Sequence, residues 1–375
     1  MNQYKVVSLF SGAGGSSLGY KLAGMKVLLA NEFIATAADT YHANFPDTIV
    51  LRDDIRKLTG KDILNKINMK DGELDLLDGS PPCQGFSTSG KGSEKWGKVV
   101  KYSETYQRTD DLFYEYARIL ADIKPKVFVA ENVYGMAIGE SKVVFNAVLN
   151  ELKSKGYKVK CRLLNAKYFN VAQNRPRLIW IGVREDLNAE PSHPTPQTRP
   201  TAIQDVLKDI KNEESELKAS RYKETSSVYS YLIKMKPGES GSDYNEKGSY
   251  FGLLRLSWDK PANTILQSDA KHISCSAIHP DEHRRLTITE LKRISSFPDD
   301  FILLGNYKQK WERIGRAVCP NMMKAIAEHV RYRILNKIYN IEEKYNPSFY
   351  NAEEEEKGQD TFGFIRDYTN FKEYK

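Results

Sequence analysis

The chain has 375 residues, enough for about two domains and for a sizeable core that needs no staples. Its four cysteines (Cys83, Cys161, Cys275, Cys319) lie far apart, with no C-x-x-C pair and no secretory signal, which argues against a disulfide framework or structural zinc and for a reducing compartment. No apolar run reaches the roughly 18 residues of a membrane span, and the net charge of +7 permits a polyanionic partner without demanding one.

From residue 4 to about 184, short apolar runs alternate with amphipathic stretches, the pattern of crossover helices on a mainly parallel sheet. The pattern predicts strands over 5–10, 27–31, 48–51, 74–78, 127–131, 158–164 and 178–183, with the clearest helices over 110–122 and 141–155. Past residue 184 the composition turns to Pro, Ser, Thr, Lys and Glu, and Pro191, Pro194, Pro196 and Pro200 mark a boundary before a second, less regular domain. Helical spacing returns over 287–297 and 322–339. The four glutamates at 353–356 read as a solvated face or a disordered run.

Open α/β sheets bind ligands at the carboxyl ends of their strands, so the residues just past each strand carry the functional information. The first strand leads into Phe10-Ser-Gly-Ala-Gly-Gly15, a turn whose glycines let backbone approach a ligand. Glu32 ends the second strand, twenty residues after Gly12, a spacing that suits an acid accepting from ribose hydroxyls. Asp54 follows the third strand, where it either accepts from an adenine amino group beside Ile55 or simply caps a helix. The fourth strand delivers Cys83 into the proline-stiffened loop Ser80-Pro-Pro-Cys-Gln84, which offers no apolar stripe to bury a thiol; Cys83 reads as a nucleophile. The fifth delivers Glu131 at the end of an apolar run, facing the nucleophile across neighbouring strand ends. Gln173-Asn-Arg-Pro-Arg177 brings two guanidiniums, Arg175 and Arg177, close together, each able to hold a base carbonyl, a phosphate or a carboxylate.

Taken in order, these motifs resemble those of the DNA cytosine-5 methyltransferases of the bacterial type. The resemblance runs through Phe10–Gly15, Glu32, Asp54-Ile55, Pro81-Pro-Cys83-Gln, Glu131-Asn-Val133, Gln173-x-Arg175-x-Arg177, Arg284-Arg-Leu-Thr-x-x-Glu290 with Phe297-Pro298, and Ile314-Gly315. It implies an α/β, Rossmann-like S-adenosylmethionine-dependent methyltransferase fold with a smaller, irregular target-recognition domain. Residues 1–184 with 311–340 would form the catalytic and cofactor-binding domain, 185–310 the recognition domain and 341–375 a tail. Contacts to S-adenosylmethionine are implied for Phe10, Ser11, Gly12, Gly14, Glu32, Asp54, Ile55 and Pro81.

By the same resemblance, the Cys83 thiolate adds to carbon 6 of cytosine while Glu131 protonates or stabilises N3, and Arg177 holds the cytosine carbonyl with Arg175 nearby. The base must leave the duplex to be reached. The loop from 84 to about 107, rich in Gly and Lys, suits a mobile lid over DNA, with Ser87 touching the backbone near the flipped base and Thr264 gripping a phosphate. No metal is expected, and the zinc-like spacing of Cys275, His279 and His283 is set aside because Pro280 interrupts it and no fourth ligand is apparent.

The chain departs from the family pattern at Arg316, where Asn usually follows Ile-Gly, at Cys319, where Pro is common, and at Ser8, often Asp. The expected partner is double-stranded DNA, with the enzyme acting as a cytoplasmic monomer, nucleoid-associated when on DNA, and any cognate restriction endonuclease working separately. The alternatives are an RNA cytosine methyltransferase of the same superfamily and a catalytically silent DNA-binding relative. The intact Cys83, Glu131 and Arg177 set argues against silence, and the substantial recognition region argues against RNA.

Overall fold

The computed structural model describes residues 3–82, 99–109, 111–138, 141–246, 248–250 and 252–352. Its frame is a seven-stranded sheet in the spatial order β3-β2-β1-β4-β7-β9-β8. The strands are β1 (Lys5–Leu9), β2 (Lys26–Asn31), β3 (Ile49–Leu51), β4 (Leu76–Gly79), β7 (Val127–Val133), β8 (Tyr157–Asn165) and β9 (Pro176–Arg184). A separate antiparallel hairpin pairs β5 (Val100–Tyr102) with β6 (Thr105–Gln107).

The first five sheet strands run parallel; β9 is reversed against β7, and the edge strand β8, antiparallel to β9, runs in the direction of the first five. The reversal follows from chain length. A parallel return needs a crossover of about a dozen residues or more, whereas only 166–175 separate β8 from β9. Central strands β4 and β7 are buried along nearly their whole length, whereas the edge strand β8 alternates buried and half-buried residues.

The helices that flank the sheet are α1 (Gly15–Leu22), α2 (Ala35–Asn44), α3 (Gly60–Lys66), α4 (Leu112–Ile123) and α5 (Lys142–Ser154). Val7, Leu9, Leu77, Phe128, Ala130 and Trp180 pack under α3, α4 and α5, while the alternate residues Val6, Leu76, Val127, Val129 and Ile181 face the opposite layer. That second layer is closed from far along the chain, by α11 (Pro320–His329), whose Met322, Met323 and Ile326 lie with Tyr20 of α1. Proline at the first position of α11 suits a helix start, where the missing N–H would have no partner. The single helix predicted over 322–339 instead passes from α11 into a π-helical turn at Val330–Leu335.

Between β9 and α11 the chain forms short helices, α6 (Ile203–Leu207), α7 (Glu214–Ser220), α8 (Tyr229–Leu232) and α9 (Ile288–Ile294), before α10 (Tyr307–Arg316). Isolated bridges take the place of strands here. The region is tied together by Arg255, which donates to the carbonyls of His279 (2.8 Å), Pro280 (3.0 Å), Glu282 (3.0 Å) and Leu232 (2.6 Å). Its third core also takes in Ala13, Ala30, Tyr41 and Phe45, so the irregular region is packed onto the side of the sheet that bears α2.

Candidate active site

The carboxyl ends of β1, β2, β4 and β7 open into one cleft of about 260 Å³, closed on its far side by 264–268 and the end of α10. At its base the chain leaves β1 through Phe10, whose φ of 55° is costly for a bulky residue, and Gly12 at φ 56°. A Cβ on Gly12 would meet nothing within 4 Å, leaving its backbone open to the cleft. Gly14 also caps α1 at φ 96°, where a Cβ would strike Phe45 at 2.4 Å. Ser11 lines the cleft and is fixed by its backbone N–H, which donates to Asn31 O at 3.1 Å.

Glu32 is buried, and each carboxylate oxygen accepts one backbone N–H, from Gly12 at 2.8 Å and from Ile34 at 2.7 Å. Burial raises its pKa, opposed by those N–H groups and by Arg313 and Arg316. Two hydrogen bonds leave lone pairs on both oxygens for a ligand hydroxyl. Asp54 lines the cleft and also caps the turn at Ile55–Lys57, accepting from Arg56 N at 3.1 Å, so ligand-facing and helix-capping readings coexist in one side chain. Ile55, Phe10, Pro81, Leu112 and Val318 supply apolar walls. Acid, exposed glycine backbone and apolar walls together fit an adenosyl group.

The reacting end is marked by Glu131 and Arg177. These side chains are about 10% exposed, and Arg177 Nε lies 2.8 Å from Glu131 Oε1. Their geometry comes from the antiparallel pairing of β7 with β9, in which Arg177 stands opposite Val133 and Ile179 opposite Glu131. Burial raises the pKa of Glu131 against the pull of Arg177 and Arg175. Burial, then the neighbouring Arg175 charge, brings Arg177 down to about 10, which leaves it cationic at neutral pH. Asn132, which the sequence reading quoted without a role, donates from Nδ2 to Pro81 O at 3.2 Å and so fixes the loop two residues ahead of Cys83. Cys83 and Ser87 lie outside the described residues.

Arg175 is buried, and its guanidinium donates to Gly315 O and Ala317 O at 3.0 Å and to Ile265 O at 3.3 Å. It thus joins the sheet to the segments that close the cleft. Thr264 sits beside it on the wall, with its hydroxyl donating to Asn174 O at 2.7 Å; to hold a phosphate that hydrogen must leave the carbonyl.

Residues 99–107, within the stretch expected as a mobile lid, are largely the β5–β6 hairpin. Ser103 at φ 56° makes its two-residue turn, and Thr105 Oγ1 donates to Tyr102 O at 2.9 Å. Tyr102, Arg313 and Gln267 also line the cleft, and sequence reading gave none of them a role. Ser8 finds its reason here: its hydroxyl donates to the buried carboxyl of Asp78 at 2.6 Å, where an aspartate would oppose a second carboxylate. Cys161, Cys275 and Cys319 are buried. Among the described residues no group of three His, Cys, Asp or Glu side chains is placed to hold a metal ion, and no helix is long and apolar enough to cross a membrane.

Comparison with known proteins agrees with this architecture. The C-5 cytosine-specific DNA methylase family model matches residues 4–331. The Type II methyltransferase M1.HphI of Haemophilus parahaemolyticus is 35% identical over 335 residues, covering 86% of each chain. M.Sau96I of Staphylococcus aureus is 33% identical, over 87% of this chain and 75% of the relative. In fold, DNMT2 of Spodoptera frugiperda superposes with a TM-score of 0.61 at 19% identity, over 90% of this chain and all of the other. The chain therefore belongs to the C-5 cytosine-specific DNA methylases, enzymes that transfer a methyl group from S-adenosylmethionine to carbon 5 of cytosine in DNA.

Proposed function

We propose that this chain is a modification enzyme that methylates cytosine within one specific duplex sequence, using Cys83 as nucleophile, Glu131 as the acid at N3 and Arg177 as the group that orients the base. The observation that carries this reading is the buried Glu131–Arg177 pair, 2.8 Å apart at strand ends that open into the same cleft as Glu32. The thiolate of Cys83 adds to carbon 6, and a proton from Glu131 on N3 takes up the charge, which makes carbon 5 nucleophilic. Bound S-adenosylmethionine supplies an electrophilic methyl group on a sulfonium centre. Removal of the carbon-5 proton then expels Cys83. Burial favours the protonated form of Glu131, and Arg177 limits how far that goes, so the acid can give its proton and take it back.

Glu32 would hold the ribose hydroxyls and Gly12 backbone the cofactor chain, with Phe10, Ser11, Gly14, Asp54, Ile55 and Pro81 around the cofactor; Arg175 would stand near the nucleophile and substrate while keeping the cleft closed. The region 185–310 would read the target, Ser87 and Thr264 would touch the DNA backbone, and 341–375 would be a tail. The Type II relatives support a restriction-modification setting, with the endonuclease on another chain. The enzyme would act as a cytoplasmic monomer, on the nucleoid.

The test is methyl transfer from labelled S-adenosylmethionine to mixed duplex DNA and structured RNA, with nucleoside analysis and Cys83→Ser as control. The expected product is 5-methyldeoxycytidine that disappears in the variant. Label confined to RNA, or a Cys83→Ser protein that still methylates DNA, would overturn the assignment.

A further inference from the structure

Arg316 stands where the family pattern leads one to expect asparagine, and its surroundings are specific. The guanidinium lies over the Tyr102 ring at 3.9 Å. Its Nη2 is 2.8 Å from Glu312 Oε1, and its Nε donates to Gln267 Oε1. One side chain thus joins α10, the 264–268 wall and the β5–β6 hairpin.

The hairpin is anchored on the same helix by further bonds. Arg313 Nη2 donates to Ser103 Oγ at 2.8 Å, while Glu104 Oε1 accepts from Thr36 Oγ1 at 2.8 Å and from Gln309 Nε2 at 2.6 Å. Tyr102, Gln267, Arg313 and Arg316 all line the cleft together with Glu32. This wall is therefore made of side chains from segments distant in sequence, in contrast to the backbone wall of the glycine turn. The buried carboxylate of Glu312 is shared by Arg316, Lys271 and Arg313, with Glu104 also near Arg313, so carboxylates interleave with the cations of this wall and lower its repulsion toward a cationic sulfonium ligand.

We propose that Tyr102 and Arg316 clasp the cofactor cleft, acting as positioning residues that retain S-adenosylmethionine and its demethylated product until the hairpin lifts from α10. The contact is partly desolvated, where a cation–π interaction is strongest, and an arginine suits it better than a lysine because a planar guanidinium can stack on an aromatic face. An asparagine would make neither the stack nor the pair with Glu312.

The experiment follows the dissociation of labelled S-adenosylmethionine from the full-length protein after a chase with unlabelled S-adenosylhomocysteine. Tyr102→Ala and Arg316→Asn should each speed release by about tenfold. Tyr102→Phe, which keeps the ring, should release slowly like the parent. The double variant should be no faster than the faster single one, since both remove the same contact. In steady state the rise in KM for the cofactor should exceed any fall in kcat. Where Arg316→Asn fails to fold, Arg316→Lys carries the same test, because it keeps a charge for Glu312 and loses the planar group. Release rates within about twofold of the parent, or effects that multiply in the double variant, would overturn the clasp.

Discussion

The sheet region and the irregular region between β9 and α10 bury polar groups by opposite means. In the sheet, backbone groups satisfy one another along ladders, which frees side chains at the strand ends, Glu32 and Glu131 among them, to face the cleft. In the irregular region long side chains do the work of ladders: Arg255 reaches four carbonyls, and Arg284 lies on Glu290 with two contacts of 2.8 Å. Chemistry is thus built where the backbone is self-sufficient. Shape, in the irregular region, depends on individual buried arginines.

Substitutions should separate the two. Glu131→Gln should lower kcat by about 10²- to 10⁴-fold, the usual worth of a positioned acid, and should also cost stability by leaving the buried Arg177 without its counter-ion, while S-adenosylhomocysteine still binds. Single-turnover methylation with a cofactor-binding assay checks it. A folded variant that keeps most of its single-turnover rate would show that Glu131 is instead only a structural partner of Arg177.

Arg255→Met should have no direct effect on the chemistry and should cost at least about 3 kcal/mol, because it strands several buried carbonyls at once. Urea denaturation gives the size, and hydrogen exchange should place the loss in 229–286 rather than in the sheet. Arg255→Lys should recover only part, since one ammonium cannot span four acceptors held in this arrangement. Exchange that quickens equally in β1 and β4 would break the contrast between the regions.

The same contrast explains what the sequence could reveal. Apolar runs ending in Glu32, Glu131 or the Pro81 loop were readable because a parallel sheet puts ligands at those ends. The reversal of β9 was not, since a strand looks alike in either direction and the turn back lies in a short connection. At Gly14 the lack of a side chain, legible as part of a ligand-binding turn, is also required by Phe45, a contact set by tertiary packing that no motif announces. Arg175 could be seen as one of a pair of cations, yet its carbonyl partners belong to residues some ninety and one hundred and forty positions away. Tyr102 carried no motif at all, and only the docking of its hairpin on Arg316 brings it to the cleft. Arg255 was likewise silent, because no periodicity announces a side chain that replaces a ladder.

Two buried carboxyls give the finest test of the comparison. Asp78, in β4, accepts from Ser8 Oγ at 2.6 Å and Tyr20 OH at 3.1 Å, both neutral donors, and burial pushes it up to about 7. Burial also acts upward on Glu290, but the two contacts and the charge of Arg284, with the Thr287 N–H, bring it below the ordinary carboxylate range. The signs of their pH dependence must therefore differ. The Asp78 contribution is fully present below the ordinary aspartate pKa and is lost as pH rises to about 7, because the folded state keeps a proton that the unfolded chain has released. The Glu290 contribution is present above the ordinary glutamate pKa and is lost as pH falls through its depressed value. Unfolding followed from pH 3 to pH 8 should accordingly show Asp78→Asn with a shallower loss on the approach to neutrality, since an amide keeps an acceptor for these hydroxyls without a charge to bury. Glu290→Gln should flatten the acid limb instead and lower stability near pH 7, where it leaves Arg284 without its buried counter-ion. Asp78→Asn and the parent with parallel curves between pH 4 and 7 would mean that water reaches Asp78 and that the sheet region, like the irregular one, depends on solvated or paired charge at its centre.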